Sequence, residues 1–99
     1  MTRQQDAGAG LAVADDVRAD AIARLRSIRG HVDGIVRMLE RDETYCVDVL
    51  KQLKAVNGAL AKTGDVILRG HLKHHVVTAH ERGDDEAIVA ELMDILKYR

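Results

Sequence analysis

The 99-residue sequence contains no proline, tryptophan or phenylalanine, only two tyrosines and a single cysteine. Without proline, nothing forbids a long helix. Without Phe or Trp, a core must be assembled from Leu, Ile, Val, Met and Ala. Such a core in so short a chain is thin, and association with further copies is a common remedy. One cysteine excludes an internal disulfide and fits a reducing compartment. Charge of one sign is also missing. The 15 Lys and Arg against 16 Asp and Glu leave a formal -1, so a DNA-binding surface would have to be local, with the acids segregated elsewhere. The N-terminus has no secretory apolar region, and no run approaches membrane-spanning length. These absences predict a soluble, cytoplasmic chain with no membrane role.

What is present is helical periodicity. Residues 1–13 are small and polar without a sustained apolar period and read as a mobile tail. They precede one helical domain over residues 14–99. Asp15 or Asp16 is placed to cap a first helix, because a carboxylate accepts from the orphan N–H groups of a first turn. Ile22, Leu25, Ile28, Val32, Ile35 and Leu39 then recur at spacings of three and four, predicting a helix over about 15–40. Asp42 is the expected cap of a second helix, over about 43–80. Its apolar stripe is read as Cys46, Val49, Leu53, Val56, Leu60, Gly64, Ile67 and His71, continuing to His75. A break at Gly64-Asp65 is the main rival to one continuous helix. Arg82-Gly83-Asp84 reads as a stop and a new cap, and Ile88, Leu92 and Ile95 or Leu96 mark a third helix over about 84–97.

Three possible metal ligands share the second stripe. Cys46 and His71 are 25 residues apart, and at about 100° per residue they differ by only about 20° in azimuth. His75 lies about 20° to the other side of Cys46. Along the axis, however, the thiol and the imidazoles are about 37–44 Å apart, so one helix cannot bring them to one ion. Two antiparallel copies can, with Cys46 of one meeting His71 and His75 of the other, twice per dimer. Histidines at i and i+4 share a face and can chelate one ion. A thiolate donor selects thiophilic ions such as Cu(I) or Zn(II) over Mg(II) or Ca(II).

The segments RLRSIRGHVDGIVRMLERD, YCVDVLKQLKAVNGAL, GHLKHHV and ELMDILKY together resemble the copper-sensitive operon repressor family (CsoR, grouped with RcnR and FrmR). The resemblance runs from about Arg24 to Lys97. It implies an all-α, three-helix protomer, an antiparallel four-helix-bundle homodimer, and a dimer-of-dimers tetramer. It also implies repression of metal-export or detoxification genes by binding double-stranded operator DNA, with release when metal binds. Cys46 and His71 match the family's ligands. His75 stands where copper sensors usually place a second Cys. Tyr45 and Glu91 match the pair that couples the site to the third helix, and Arg24 and Lys62 match DNA-contacting positions, with Arg26 and Lys54 behind them. No helix-turn-helix, zinc finger or basic zipper is visible in the sequence.

The effector expected from three donors with Tyr45 and Glu91 present is Cu(I), since Ni(II) and Co(II) generally take more ligands. A Zn(II), Ni(II) or Co(II) sensor of the same family is an alternative. So is an electrophile sensor, for formaldehyde or thiol chemistry, that uses Cys46 alone. A helical adaptor or metal store without a DNA role is a further class. An enzyme is not expected, because no Ser/His/Asp set or carboxylate pair has a convincing spacing. His31, His74 and His80 are expected at the surface.

Overall fold

The computed structural model describes residues 13–76, 81–83 and 85–98, which lie in helices and the turns between them, with no strand among the described residues. Helix α1 spans Asp15–Leu39, α2 spans Cys46–His71 and α3 spans Asp85–Ile95. A π-helical turn, Leu72–Val76, follows α2, and a 3-10 turn, Leu96–Tyr98, follows α3. The predicted tail lies outside the described residues up to position 12. So do positions 77–80, where the second helix was expected to end, and Asp84, the expected third cap. The chain divides into two compact units, Asp15–Leu68 and the part from Arg69 onward.

In the first unit α1 and α2 form an antiparallel hairpin. Asp15 and Asp16 lie in the first turn of α1, and the Val17 N–H donates to Asp16 Oδ1 at 2.9 Å. This places negative charge where the helix dipole favours it. At the other end the Thr44 hydroxyl donates to the Met38 carbonyl at 2.6 Å, and the Arg41 N–H donates to the same oxygen at 3.1 Å. Orphan carbonyl capacity at the helix end is thereby satisfied.

The Asp42 cap is a correction. The chain is still turning at Asp42, and α2 begins at Cys46. Its first backbone bonds are donated by Asp48 and Val49 to the carbonyl of Tyr45, at 3.0 and 3.4 Å. Thr44 is tied back to α1, so the second helix cannot start until the chain has cleared that bond. The Gly64-Asp65 break does not occur, since α2 runs through both residues.

The core repeats by sevens. Ala21, Ile28 and Ile35 are buried on α1, and Val49, Val56 and Thr63 on α2. Ile28, Ile35, Val49 and Val56 form one cluster, with Met38 and Ala59 packed against it. A strict seven-residue repeat keeps one seam of each helix facing the other. Thr63 is buried without an orphan hydroxyl because it donates to the Ala59 carbonyl at 2.8 Å. His31, expected at the surface, is half-buried in the hairpin, with Nε2 2.7 Å from Gln52 Oε1.

The single apolar stripe read along the second helix is in fact two. Val49 and Val56 are 8% and 6% exposed and face α1, whereas Leu50, Leu53 and Leu60 are 58%, 44% and 45% exposed. Cys46 and Leu50, Leu53 and Leu60 lie about 80° around the axis from the buried seam. On α1, Leu25, Val32, Val36 and Leu39 are likewise exposed, about 60° from its buried seam. Because the helices are antiparallel, both rotations lead to the same side of the hairpin. The first unit therefore carries one buried interface and one continuous bare apolar face.

In the second unit α3 buries Ile88, with Leu92 and Ile95 half-buried. Gly83, with φ of 73°, supplies the left-handed residue before it that a side chain would resist. The expected stop at Arg82-Gly83 is located at that residue.

Candidate metal centre

Cys46 is the first residue of α2, exposed and outside any disulfide, at the start of the bare face. Nothing in its own unit covers the sulfur. Tyr45, beside it, is 65% exposed, and among the described residues its hydroxyl has no hydrogen-bond partner. Its contribution within the protomer is the backbone carbonyl that starts α2.

His71 closes α2. Its side chain is only 18% exposed, and Nε2 is hydrogen-bonded to Oε1 of Glu91, in the middle of α3. The tautomer that donates from Nε2 to a carboxylate carries its lone pair on Nδ1, the form in which a histidine ligates a metal. A carboxylate behind a ligating imidazole fixes the ring's orientation and raises its basicity. Glu91 is thus a hydrogen-bond partner of His71 within the protomer.

His75 lies in the π-helical turn, and its side chain is outside the described residues. A single π turn within or after an α-helix is rare and is found often at functional sites. His74 is exposed, as expected, and His80 lies outside the described residues. Among the described residues, no three donors of the His, Cys, Asp or Glu types are gathered in one protomer to hold an ion.

The basic candidates are on the surface of the hairpin. Arg26, Lys54 and Lys62 are exposed. Arg24 is half-buried and pairs through Nε with Asp20 at 3.2 Å. An exposed pair of this i, i+4 kind contributes little, and a phosphate can displace it. Sequence reasoning missed the bare face beside them: its signal is the series Cys46, Leu50, Leu53, Asn57 and Leu60, whose residues interleave with those of the buried seam.

The chain matches the model of the metal-sensitive transcriptional repressor family over residues 17–98. It is 47% identical over 78 residues to the copper-sensing transcriptional repressor CsoR of Mycobacterium tuberculosis (strain ATCC 25618 / H37Rv), covering 79% of this chain and 65% of that protein. The chain thus spans just under two thirds of that relative's length. It is 42% identical over 74 residues to the copper-sensing transcriptional repressor CsoR of Bacillus subtilis (strain 168), covering 75% of this chain and 72% of the relative. Among solved structures it is similar to the copper-sensing repressor CsoR with Cu(I) from Geobacillus thermodenitrificans NG80-2. The TM-score is 0.76 at 35% identity, covering 86% of this chain and 88% of that one. A family match over most of the chain, with the same helical architecture, shows that this chain belongs to the metal-sensitive transcriptional repressor family.

Proposed function

We propose that the protein is a Cu(I)-responsive transcriptional repressor that holds double-stranded operator DNA when metal-free and releases it when copper binds between two subunits. The observation that carries this reading is the exposed Cys46 thiol at the head of a bare apolar face. A second copy covers that face and brings its own histidines to the sulfur. Relatives named as copper-sensing repressors, and a similar structure containing Cu(I), support the choice of metal.

Cys46 of one subunit, with His71 and His75 of the other, would hold the ion. One soft sulfur and two imidazoles fit a thiophilic d¹⁰ ion and do not suit Mg(II) or Ca(II). When bound, Cu(I) supplies a cross-link between subunits that neutralises the thiolate. The rest is done by the chain. Glu91 holds the His71 ring and ties it to α3, so any change at that ring is passed to α3 through a side-chain hydrogen bond. Tyr45 stands next to the sulfur. Arg24, once released from Asp20, and the exposed Arg26 and Lys62 supply phosphate contacts, and two dimers joined as a tetramer would present them over a longer stretch of duplex. Whatever copper does to DNA affinity, DNA does to copper affinity by the same factor. No helix among the described residues is long and apolar enough to cross a membrane, and we place the protein in the cytoplasm with its operator.

The test is Cys46→Ala. The variant binds operator as the unaltered protein does, with affinity that falls with salt, and is not released by Cu(I) in an anaerobic mobility-shift titration. Release that survives the substitution removes Cys46 from the mechanism. Release lost in Cys46→Ala yet retained in His75→Ala favours electrophile sensing by the thiol alone.

A further inference from the structure

The bare face of α2 carries its own instructions about what covers it. From Cys46 it runs Leu50, Leu53, Asn57, Leu60, Gly64, Ile67 and His71, alternating steps of four and three and ending as it began on a four. The series has the same spacing read in either direction. A second copy laid antiparallel therefore brings Leu50 against Ile67, Leu53 against Gly64, and Asn57 against Leu60. These are the layers of an antiparallel coiled coil.

Gly64 and Gly58 lie in mid-helix, and a Cβ on either would meet nothing within 4 Å among the described residues of the protomer. Each glycine costs α2 about 1 kcal/mol relative to alanine. Nothing among the described residues of the protomer requires that cost. Lys54 and Asp65 are both exposed on the edge of the face turned away from α1, about 80° and 100° around the axis from Cys46. Among the described residues Lys54 makes no ion pair within the protomer. A two-fold axis sets this edge of one copy against the same edge of the other, so lysine faces aspartate twice.

We infer that Leu53 of one copy seats over Gly64 of the other, and that Lys54 pairs with Asp65 across the same interface, so that together they fix the register of the dimer. A slip of one heptad sets Leu53 against Asn57 or His71 and leaves Lys54 facing Gly58 or Leu72, neither of them an acid. Only the unslipped register satisfies both the socket and the charge pair. It is also the register that sets Cys46 opposite His71. The inference rests on the dimer proposed above and names the residues that align it.

The experiment is sedimentation equilibrium of the full metal-free chain, with circular dichroism as the check on folding. The unaltered protein dimerises. Lys54→Asp and Asp65→Lys each raise the dissociation constant about tenfold, and the double reversal returns it to within about threefold. Gly64→Leu, which fills the socket twice per dimer, raises it by more than about tenfold with helicity intact. Single reversals without effect, or a double variant as weak as the singles, overturn the charge pair. Undiminished association of Gly64→Leu overturns the socket. An unaltered protein that stays monomeric at every concentration overturns the dimer itself, an outcome distinct from a dimer indifferent to these substitutions.

Discussion

Nε2 of His71 is hydrogen-bonded to Oε1 of Glu91, so the last residue of α2 is joined to the middle of α3 through side chains. In the proposed mechanism this bond is the route from the imidazole to a separate helix. Glu91→Ala is expected to lower Cu(I) affinity by about 10–100-fold, the usual effect of removing a carboxylate behind a metal-binding histidine. It should also shrink the copper-induced loss of operator affinity. Competition with a Cu(I) chelator reads the first quantity and operator titration with and without copper the second. Glu91→Gln keeps an acceptor oxygen and should fall between. A Glu91→Ala protein matching the original in both would remove Glu91 from the site.

Lys62 is exposed on α2, and its proposed partner is a phosphate. Lys62→Ala should weaken binding to all DNA sequences alike and reduce the slope of log affinity against log salt by about one per contacting copy. An unchanged slope at several salt concentrations would place Lys62 outside the interface.

Ile35 is 5% exposed in the hairpin core and Leu50 is 58% exposed on the bare face. Ile35→Ala should destabilise the fold by about 2–4 kcal/mol whatever the protein concentration. Leu50→Ala should cost little in a dilute monomer, and its cost should emerge as the protein is concentrated into dimers. Chemical denaturation at two concentrations separates the two behaviours. Equal concentration dependence for both would mean that Leu50 is no part of an interface.

His31 and Gln52 join α1 to α2 at 2.7 Å. Removing either side chain leaves the other half-buried and unsatisfied, at about 1 kcal/mol. The double variant should lose less than the sum of the singles, and a coupling energy near zero in that cycle would show the bond to be incidental.

The helices were legible in the sequence because their apolar period is unbroken and proline is absent. The two faces of α2 were not separated. Val49 and Leu50 are neighbours in sequence, both aliphatic and both spaced at threes and fours from other aliphatics. Which one a helix buries depends on where its partner lies, which a one-dimensional pattern does not record. The start of α2 was misplaced for a similar reason. Asp42 has the chemistry of a cap, but the Thr44 hydroxyl binds the Met38 carbonyl, and that contact spans six residues. Glu91 behind His71 was reached only through family resemblance, since no helical spacing links positions 71 and 91.

The unfilled flank of the hairpin has a consequence for the chain's life before it finds a companion. A newly synthesised copy folds with Leu50, Leu53 and Leu60 still wetted. At about 10 nM protein and an encounter rate of about 10⁶ M⁻¹s⁻¹, the proposed dimer would take on the order of 100 s to form. Throughout that interval the lone copy presents the oily surface that chaperones and proteases recognise. Scarcity should therefore shorten the lifetime of such a regulator, so that its abundance depends more than linearly on its rate of synthesis.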